Sequence, residues 1–202
     1  MLFISVDVEA SGPVPSLYNL VSIGAVPVRG EPGGIFEYVE GKSFYVELKP
    51  VFPGFIDEAM AVHGIPRSHL EAEGVAPVDA MKGFRNWILE MAEGEAKPPV
   101  FVGHNAAFDW SYINFYFHYT EVENPFDIFS LDTKSLACGR FDLHWHKARK
   151  SVFQELFPAL PKLDEVQRHR ADYDAEFQAS MLCELMNAKP GSLSYPGTGK
   201  GS

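Results

Sequence analysis

Cysteine and long apolar runs are both scarce in this sequence, and each shortage restricts what the chain can be. Cys138 and Cys183 are the only cysteines, too few for the disulfide framework of small secreted proteins. No window approaches the run of about 18 apolar residues that a membrane-spanning helix needs, and the N-terminus lacks the positively charged segment of a secretory signal. We therefore expect a cytoplasmic protein.

Positive charge is scarce as well. The chain has 17 Lys and Arg residues against 27 Asp and Glu residues, a formal net charge of −10, which disfavours a general basic surface for gripping long duplexes. Of its 202 residues, 46% are hydrophobic, enough to bury one large core. We expect a single domain over residues 1–189 and a flexible, Gly- and Ser-rich tail over residues 190–202.

The order of the predicted elements indicates an α/β protein. Apolar runs predict strands over residues 20–28, 43–48, 100–103 and 128–131, after a first strand beginning near Phe3. Helical periodicity and end signals predict helices over residues 57–63, 79–93, 106–119, 133–137, 152–157 and 171–188. Three early strands at short spacing favour an antiparallel start. The fourth strand is followed at once by a helix, with Asn105 as the predicted N-cap.

Two acids, Asp7 and Glu9, lie on the first strand. Because side chains alternate along a strand, both carboxylates share one face, with Cα atoms about 6 to 7 Å apart. Gly12-Pro13 ends the strand, which puts the pair near its carboxyl end, where open α/β sheets bind ligands. The pair can reach one cation or two neighbouring ones, although a solvated strand face gives the same pattern.

Two further acids lie in the first turns of predicted helices. Asp174 precedes Phe177 by three residues, and Phe177 begins an apolar stripe with Met181 and Leu185, so Asp174 projects toward the core. A buried carboxylate persists when it is paired or binds a metal. Asp109 lies in the first turn after the fourth strand. For both acids, the alternative is a hydrated side chain that favours the helix dipole.

His169 lies five residues before Asp174, and its unperturbed pKa, about 6.5, suits proton transfer near neutrality. A lone surface histidine is the alternative. The last third of the chain is locally basic, and either a patch that follows phosphates or an ordinary solvated face explains this. These basic residues are Arg140, Lys147, Arg149, Lys150, Arg168 and Arg170.

Three ordered motifs resemble those of the DEDDh 3′–5′ exonucleases, the DnaQ-like group that includes ribonuclease T and polymerase proofreading subunits. The motifs are Asp7-x-Glu9, His104-Asn105-x-x-Phe108-Asp109 and His169-x-x-x-x-Asp174. The resemblance extends from Phe3 to about Leu185. It implies a ribonuclease H-like, three-layer α/β fold, in which helices flank a mixed five-stranded sheet.

The resemblance also implies a metal-dependent hydrolase that releases nucleoside 5′-monophosphates from the 3′ end of single-stranded DNA or RNA. The implied cofactors are two Mg²⁺ or Mn²⁺ ions, which carboxylate oxygens suit, and His169 is the implied general base. The implied metal ligands are Asp7, Glu9, Asp109 and Asp174. Substrate contacts are expected from Ala10, where relatives often carry Thr, and from Asn105 and Phe108.

Assembly and substrate stay open at this point. Relatives are frequently homodimers, and the chain could act alone or be recruited to a larger nucleic-acid-processing complex. A ribonuclease H-like module that has lost catalysis and only binds is the alternative to an enzyme, but the complete acid set and His169 favour the enzyme. The choice between DNA and RNA depends on contacts to the 2′-hydroxyl that the sequence does not reveal.

Overall fold

The structure, a computed structural model, describes residues 1–164 and 166–189; the predicted C-terminal tail lies outside the described residues. Within this part, a mixed sheet has helices on both faces, which confirms the predicted α/β architecture. None of the helices described combines the length and apolar character needed to span a bilayer.

The sheet has six strands among the described residues. They are β1 (Leu2–Ala10), β2 (Leu20–Arg29), β3 (Glu37–Tyr38), β4 (Phe44–Glu47), β5 (Val100–Gly103) and β6 (Ser130–Asp132). Their order is β3-β2-β1-β5-β6, and β4 also pairs with β2. β1 is antiparallel to β2 and parallel to β5, and β4 is antiparallel to β2, so the predicted antiparallel start is confirmed. The additional strand β3 has two residues, too few to show an alternating pattern.

Seven α-helices connect and cover these strands in the described part of the chain. They are α1 (Asp57–His63), α2 (Arg67–Glu73), α3 (Pro77–Met91), α4 (Ala107–Tyr119), α5 (Thr133–Phe141), α6 (Lys150–Leu156) and α7 (Ala171–Asn187). A 3₁₀ turn at Trp145–Lys147 separates α5 from α6. Helix α2 was not predicted, because Leu70 is its one buried residue and a single apolar position shows no helical periodicity.

Strand β1 is the centre of the fold because both of its faces are covered. Leu2, Ile4, Val6 and Val8 pack in the core with side chains of α3 and α4. The opposite face begins with Phe3, which packs with α7, and continues with Ser5. Gln178 of α7 donates hydrogen bonds to Ser5 Oγ and the Val6 carbonyl, at 2.9 and 3.1 Å. These bonds between buried groups fix the position of α7 along β1.

Candidate active site

The motif side chains meet in one cleft at the carboxyl end of β1. The cleft is lined by Asp7, Val8, Glu9, His104, Asn105, Phe108, Asp109, Lys150, Arg168, His169 and Asp174. Parallel β5 pairs with β1 only as far as Ser5, so the last part of β1 extends beyond its neighbour. This is the edge at which open α/β sheets bind ligands.

A glycine on β2 allows α7 to approach the acids of β1. Gly24 pairs with Asp7 across the sheet, and a Cβ at Gly24 would lie 2.1 Å from the backbone carbonyl carbon of Ala171. No side chain fits in that space. Because Ala171 begins α7, the bare backbone at Gly24 brings the first turn of α7, with Asp174, against the strand that carries Asp7.

Asp109 connects α4 to the free edge of β1. Its Oδ1 accepts a hydrogen bond from the backbone N–H of Val8 at 3.0 Å, a donor that β5 is too short to pair. Gly103 lets the turn before α4 pack tightly against the end of β5, since a Cβ there would lie 2.7 Å from the Ala106 Cα. Asp109 is 5% exposed, so it is a buried group of the site and not a hydrated helix-dipole acid.

Asp174 and His169 are joined through the backbone. The N–H of His169 donates to Asp174 Oδ2 at 2.8 Å, and Asp174 is 4% exposed. His169 has a φ of 64°, in the left-handed region where histidine is enriched among non-glycine residues. In this conformation, ligand atoms of Glu9, His169 and Asp174 all lie within 4.8 Å of one another, so this group could hold a metal ion.

The crowding of carboxylates is reflected in their pKa values. Burial, with the nearby charge of Asp174, raises the pKa of Asp7 to about 7. Burial and the charges of Asp7 and Asp174 raise the pKa of Glu9 to about 9, and burial and Asp7 raise the pKa of Asp109 well above its usual value. Negative charge is therefore costly in this cleft unless a cation compensates it. The oxygen donors and their need for positive charge fit hard divalent cations.

The prediction that Asn105 caps α4 is wrong. Asn105 has a φ of 61° and lies in the turn before the N-cap, which is Ala106. The backbone N–H of Ala106 donates instead to Asp132 Oδ2, at 2.7 Å, and Asp132 also caps α5. Asn105 is exposed and lines the cleft, so its side chain faces the space that a ligand would enter.

Lys150 and His104 line the cleft, and the sequence analysis did not predict either as a site residue. Lys150, the first residue of α6, places its Nζ 2.5 Å from Asp174 Oδ1. Burial lowers the pKa of Lys150, but the charges of Asp7 and Asp174 raise it by more, so its ammonium group stays charged. His104 has a pKa lowered to about 4 by burial and by the charge of Lys150, and its Nδ1 contacts Thr133 Oγ1 at 3.0 Å.

An apolar groove adjoins the acidic cleft and shares Glu9 and Phe108 with it. The groove is lined by Glu9, Ala10, Gly12, Pro13, Ile56, Glu58, Ala59, Val62 and Phe108. Phe108 is 39% exposed and packs against Tyr112, so one part of its ring is supported and another is accessible. Ala10 lies in the groove next to Glu9, and Phe108 lies between the groove and the acidic cleft.

Comparison with known proteins agrees with this geometry. The sequence profile of the RNase T exonuclease family matches residues 4–182, a range that includes all four acids and His169. The chain belongs to this exonuclease family. It is 41% identical to the 3′-5′ DNA exonuclease Cap18 of Escherichia coli, with 90% of this chain and 89% of Cap18 covered. It is 30% identical to ribonuclease T of Cronobacter sakazakii, over 90% of this chain and 80% of that protein. This exonuclease is accordingly an enzyme of the DEDDh 3′–5′ type, and the expected family is confirmed.

Solved structures with similar folds include other nucleases. The nuclease domain of 3′hExo, a DEDDh family member bound to rAMP, has a TM-score of 0.74 at 11% identity, with 94% of each chain covered. E. coli exonuclease I in complex with a dT13 oligonucleotide has a TM-score of 0.68 at 16% identity, covering 92% of this chain and 41% of that one. At such low identity these likenesses establish the fold alone, which is ribonuclease H-like as expected.

Proposed function

We propose that this exonuclease hydrolyses the terminal phosphodiester bond at the 3′ end of single-stranded DNA or RNA and releases a nucleoside 5′-monophosphate. The observation that carries the proposal is the convergence of four carboxylates and His169 in one cleft. A phosphodiester is negatively charged and resists attack, so its hydrolysis needs both compensation of charge and an activated water.

The four carboxylates would hold two divalent cations, Mg²⁺ or Mn²⁺. Asp7 and Glu9 come from β1, Asp109 from α4 and Asp174 from α7, so three separate elements fix the set. The raised pKa values of Asp7, Glu9 and Asp109 support a site built for bound positive charge. When bound, the cations would neutralise the phosphate and make a bound water more acidic.

His169 would act as the general base. A ring nitrogen of His169 would accept the proton of the attacking water as the water oxygen bonds to phosphorus and the P–O3′ bond breaks. The departing O3′ would take up a proton from solvent, so the shortened strand would leave with a 3′-hydroxyl. The bond from the His169 backbone to Asp174 Oδ2 supports this role, because it ties the histidine to a proposed metal ligand and limits the movement of the ring.

The apolar groove would take the terminal nucleoside. Phe108 offers a partly exposed ring on which a base can stack, an interaction that tolerates any base, and Ala10 leaves space near Glu9. Asn105 would offer its carboxamide to the substrate from the other side of the cleft. Stacking without base-edge contacts fits an enzyme that degrades strands of any sequence.

The domain extent, cellular location and assembly of the enzyme are part of the same proposal. We assign residues 1–189 to a single exonuclease domain that works in the cytoplasm. The enzyme could act as a homodimer or be recruited to a larger nucleic-acid-processing complex. Cap18 is named for DNA and ribonuclease T for RNA, so both polymers belong among the substrates to be tested.

The role of the carboxylates can be tested with Asp174→Ala. We expect this variant to lose nearly all nuclease activity in Mg²⁺ or Mn²⁺. Chromatography of the products measures the activity, and the wild-type enzyme is expected to release nucleoside 5′-monophosphate. A matched control is Asp127→Ala, which removes an exposed acid from the loop before β6. Retention of most activity by Asp174→Ala would contradict the proposed mechanism.

A further inference from the structure

Lys150 brings a positively charged side chain into contact with the carboxylates. Its Nζ lies 2.5 Å from Asp174 Oδ1, and its charge also acts favourably on Asp7, Glu9 and Asp109. Lys150 is the first residue of α6, which approaches the cleft independently of β1, α4 and α7. No sequence motif of the site includes it.

This ammonium group and a divalent cation require the same oxygen atoms. A carboxylate oxygen that accepts a short hydrogen bond from Lys150 has that lone pair directed at the ammonium nitrogen. Four ionised carboxylates carry four negative charges, which two divalent cations balance without help. An additional ammonium in the loaded site would therefore be repelled by the bound cations.

The surroundings of Lys150 allow it to leave. Its side chain is 22% exposed, against 6% for that of Asp174, so part of the Lys150 side chain reaches solvent whereas Asp174 is buried. Lysine is a compact charge on a flexible four-carbon stem. A rotation about its side-chain bonds can move the charge outward without any shift of α6, whereas the buried carboxylates stay in place.

We propose that Lys150 is an internal counter-ion of the metal site: it compensates part of the negative charge of the carboxylates when the metal is absent and is displaced when the metal binds. Lys150 thereby keeps the free enzyme folded with its acids together, and it lowers the affinity for the metal because each cation must replace it. This inference rests on the proposed function, since it assumes that the four carboxylates are the metal ligands.

The test compares Mn²⁺ binding by the wild-type enzyme and by Lys150→Met, which keeps an unbranched side chain, one atom shorter, and removes its charge. In titration calorimetry on purified protein, the variant is expected to bind Mn²⁺ at least about tenfold more tightly than the wild type. Its melting temperature in EDTA is expected to be lower than that of the wild type. Lys82→Met is the matched control, because Lys82 is exposed on α3 and the net charge changes equally. Equal Mn²⁺ affinity in wild type and Lys150→Met would overturn the proposal.

A second measurement uses the wild-type chain and so does not depend on the folding of the variant. In a crystal structure of the Mn²⁺-bound enzyme, the Lys150 ammonium is expected to lie beyond about 4 Å from Asp174, outside ion-pair range. Contact between the two groups in the presence of bound Mn²⁺ would overturn the inference. Failure of the wild-type enzyme to bind Mn²⁺ at all would instead contradict the proposed function, so the two failures are distinguishable.

Discussion

The backbone at His169, the proposed general base, is held in a defined conformation. A left-handed φ is uncommon outside glycine, and here it is accompanied by the hydrogen bond from the His169 N–H to Asp174. The bond restricts the backbone from which the imidazole projects. A base positioned in advance needs less reorganisation when the substrate arrives.

Replacing His169 by Ala is expected to lower kcat by about 10²- to 10⁴-fold, the usual contribution of a general base. The backbone N–H that binds Asp174 remains in the variant, so its melting temperature should stay close to that of the wild type. His118→Ala removes an exposed histidine from the last turn of α4 and serves as control. A kcat for His169→Ala within a few-fold of the wild-type value would exclude the proposed role.

At the residue scale, the sequence could indicate that the four acids lie close together, because each lies near a recognisable element end, and the structure brings their side chains into one cleft. It could not identify Lys150 as a site residue, since the local sequence of α6 does not distinguish this lysine from the basic residues around it. Only the packing of α6 beside α7 brings its ammonium to Asp174. The error at Asn105 has a similar cause, because the group that binds the Ala106 N–H comes from Asp132, on β6.

Among the elements, helix α7 and strand β2 determine whether the acid cluster forms. Gly24 touches the backbone of α7 at Ala171, three residues before Asp174. The position of α7 is also fixed along β1 by the hydrogen bonds of Gln178. A small outward movement of α7 would therefore separate Asp174 from Asp7 even if both residues were unchanged.

Gly24→Ala is expected to destabilise the fold by about 1–3 kcal/mol, because the added Cβ would overlap the α7 backbone. The variant is also expected to have a lower kcat at temperatures where it is still folded. Denaturant unfolding and a nuclease assay measure the two effects. Gly83→Ala is the matched change: a Cβ there meets no atom within 4 Å, and we expect a gain of about 0.5–1 kcal/mol from helix propensity. Wild-type stability and activity in Gly24→Ala would refute the account of this contact.

Element boundaries could be predicted where the hydrophobic periodicity is clear or where a residue that ends helices, such as glycine, follows the element. Helix α1 was predicted at its observed ends, Asp57 and His63, and Gly64 has the left-handed conformation of a helix-ending glycine. Helix α3 begins two residues earlier than predicted, because Pro77 is favourable at the first helical position. Helix α5 ends at Phe141, four residues later than predicted. Burial of Phe141 in the fold stabilises this last turn, and the local sequence pattern does not reveal such tertiary packing.

For the whole molecule, the acid cluster makes stability dependent on pH. Burial, with neighbouring charge, raises the pKa of Glu9 to about 9 and that of Asp7 to about 7, whereas these groups titrate near about pH 4 in the unfolded chain. The folded state thus binds more protons between these values. The stability that these carboxyls contribute is full below about pH 4 and is lost as the pH rises through about 7 to 9.

In EDTA, the melting temperature is therefore expected to fall as the pH is raised from about 5 to about 9. Glu9→Gln should make the fall in melting temperature smaller at the high-pH end of this range, because it removes the group with the higher of the two pKa values. Glu93→Gln, at an exposed position, should leave the pH dependence of the melting temperature unchanged. Scanning calorimetry across this pH range is the measurement. A melting temperature that rises throughout the range would have the wrong sign for this mechanism.

The most direct test of the central claim is a time course on 5′-labelled single-stranded DNA and RNA of one sequence, with Mg²⁺, Mn²⁺ or EDTA. The wild-type enzyme is predicted to shorten the strands one nucleotide at a time from the 3′ end, and both EDTA and Asp7→Ala are predicted to abolish the ladder. The faster polymer would identify the preferred substrate. No cleavage of either polymer with any metal, or a ladder that survives EDTA and Asp7→Ala, would contradict the account.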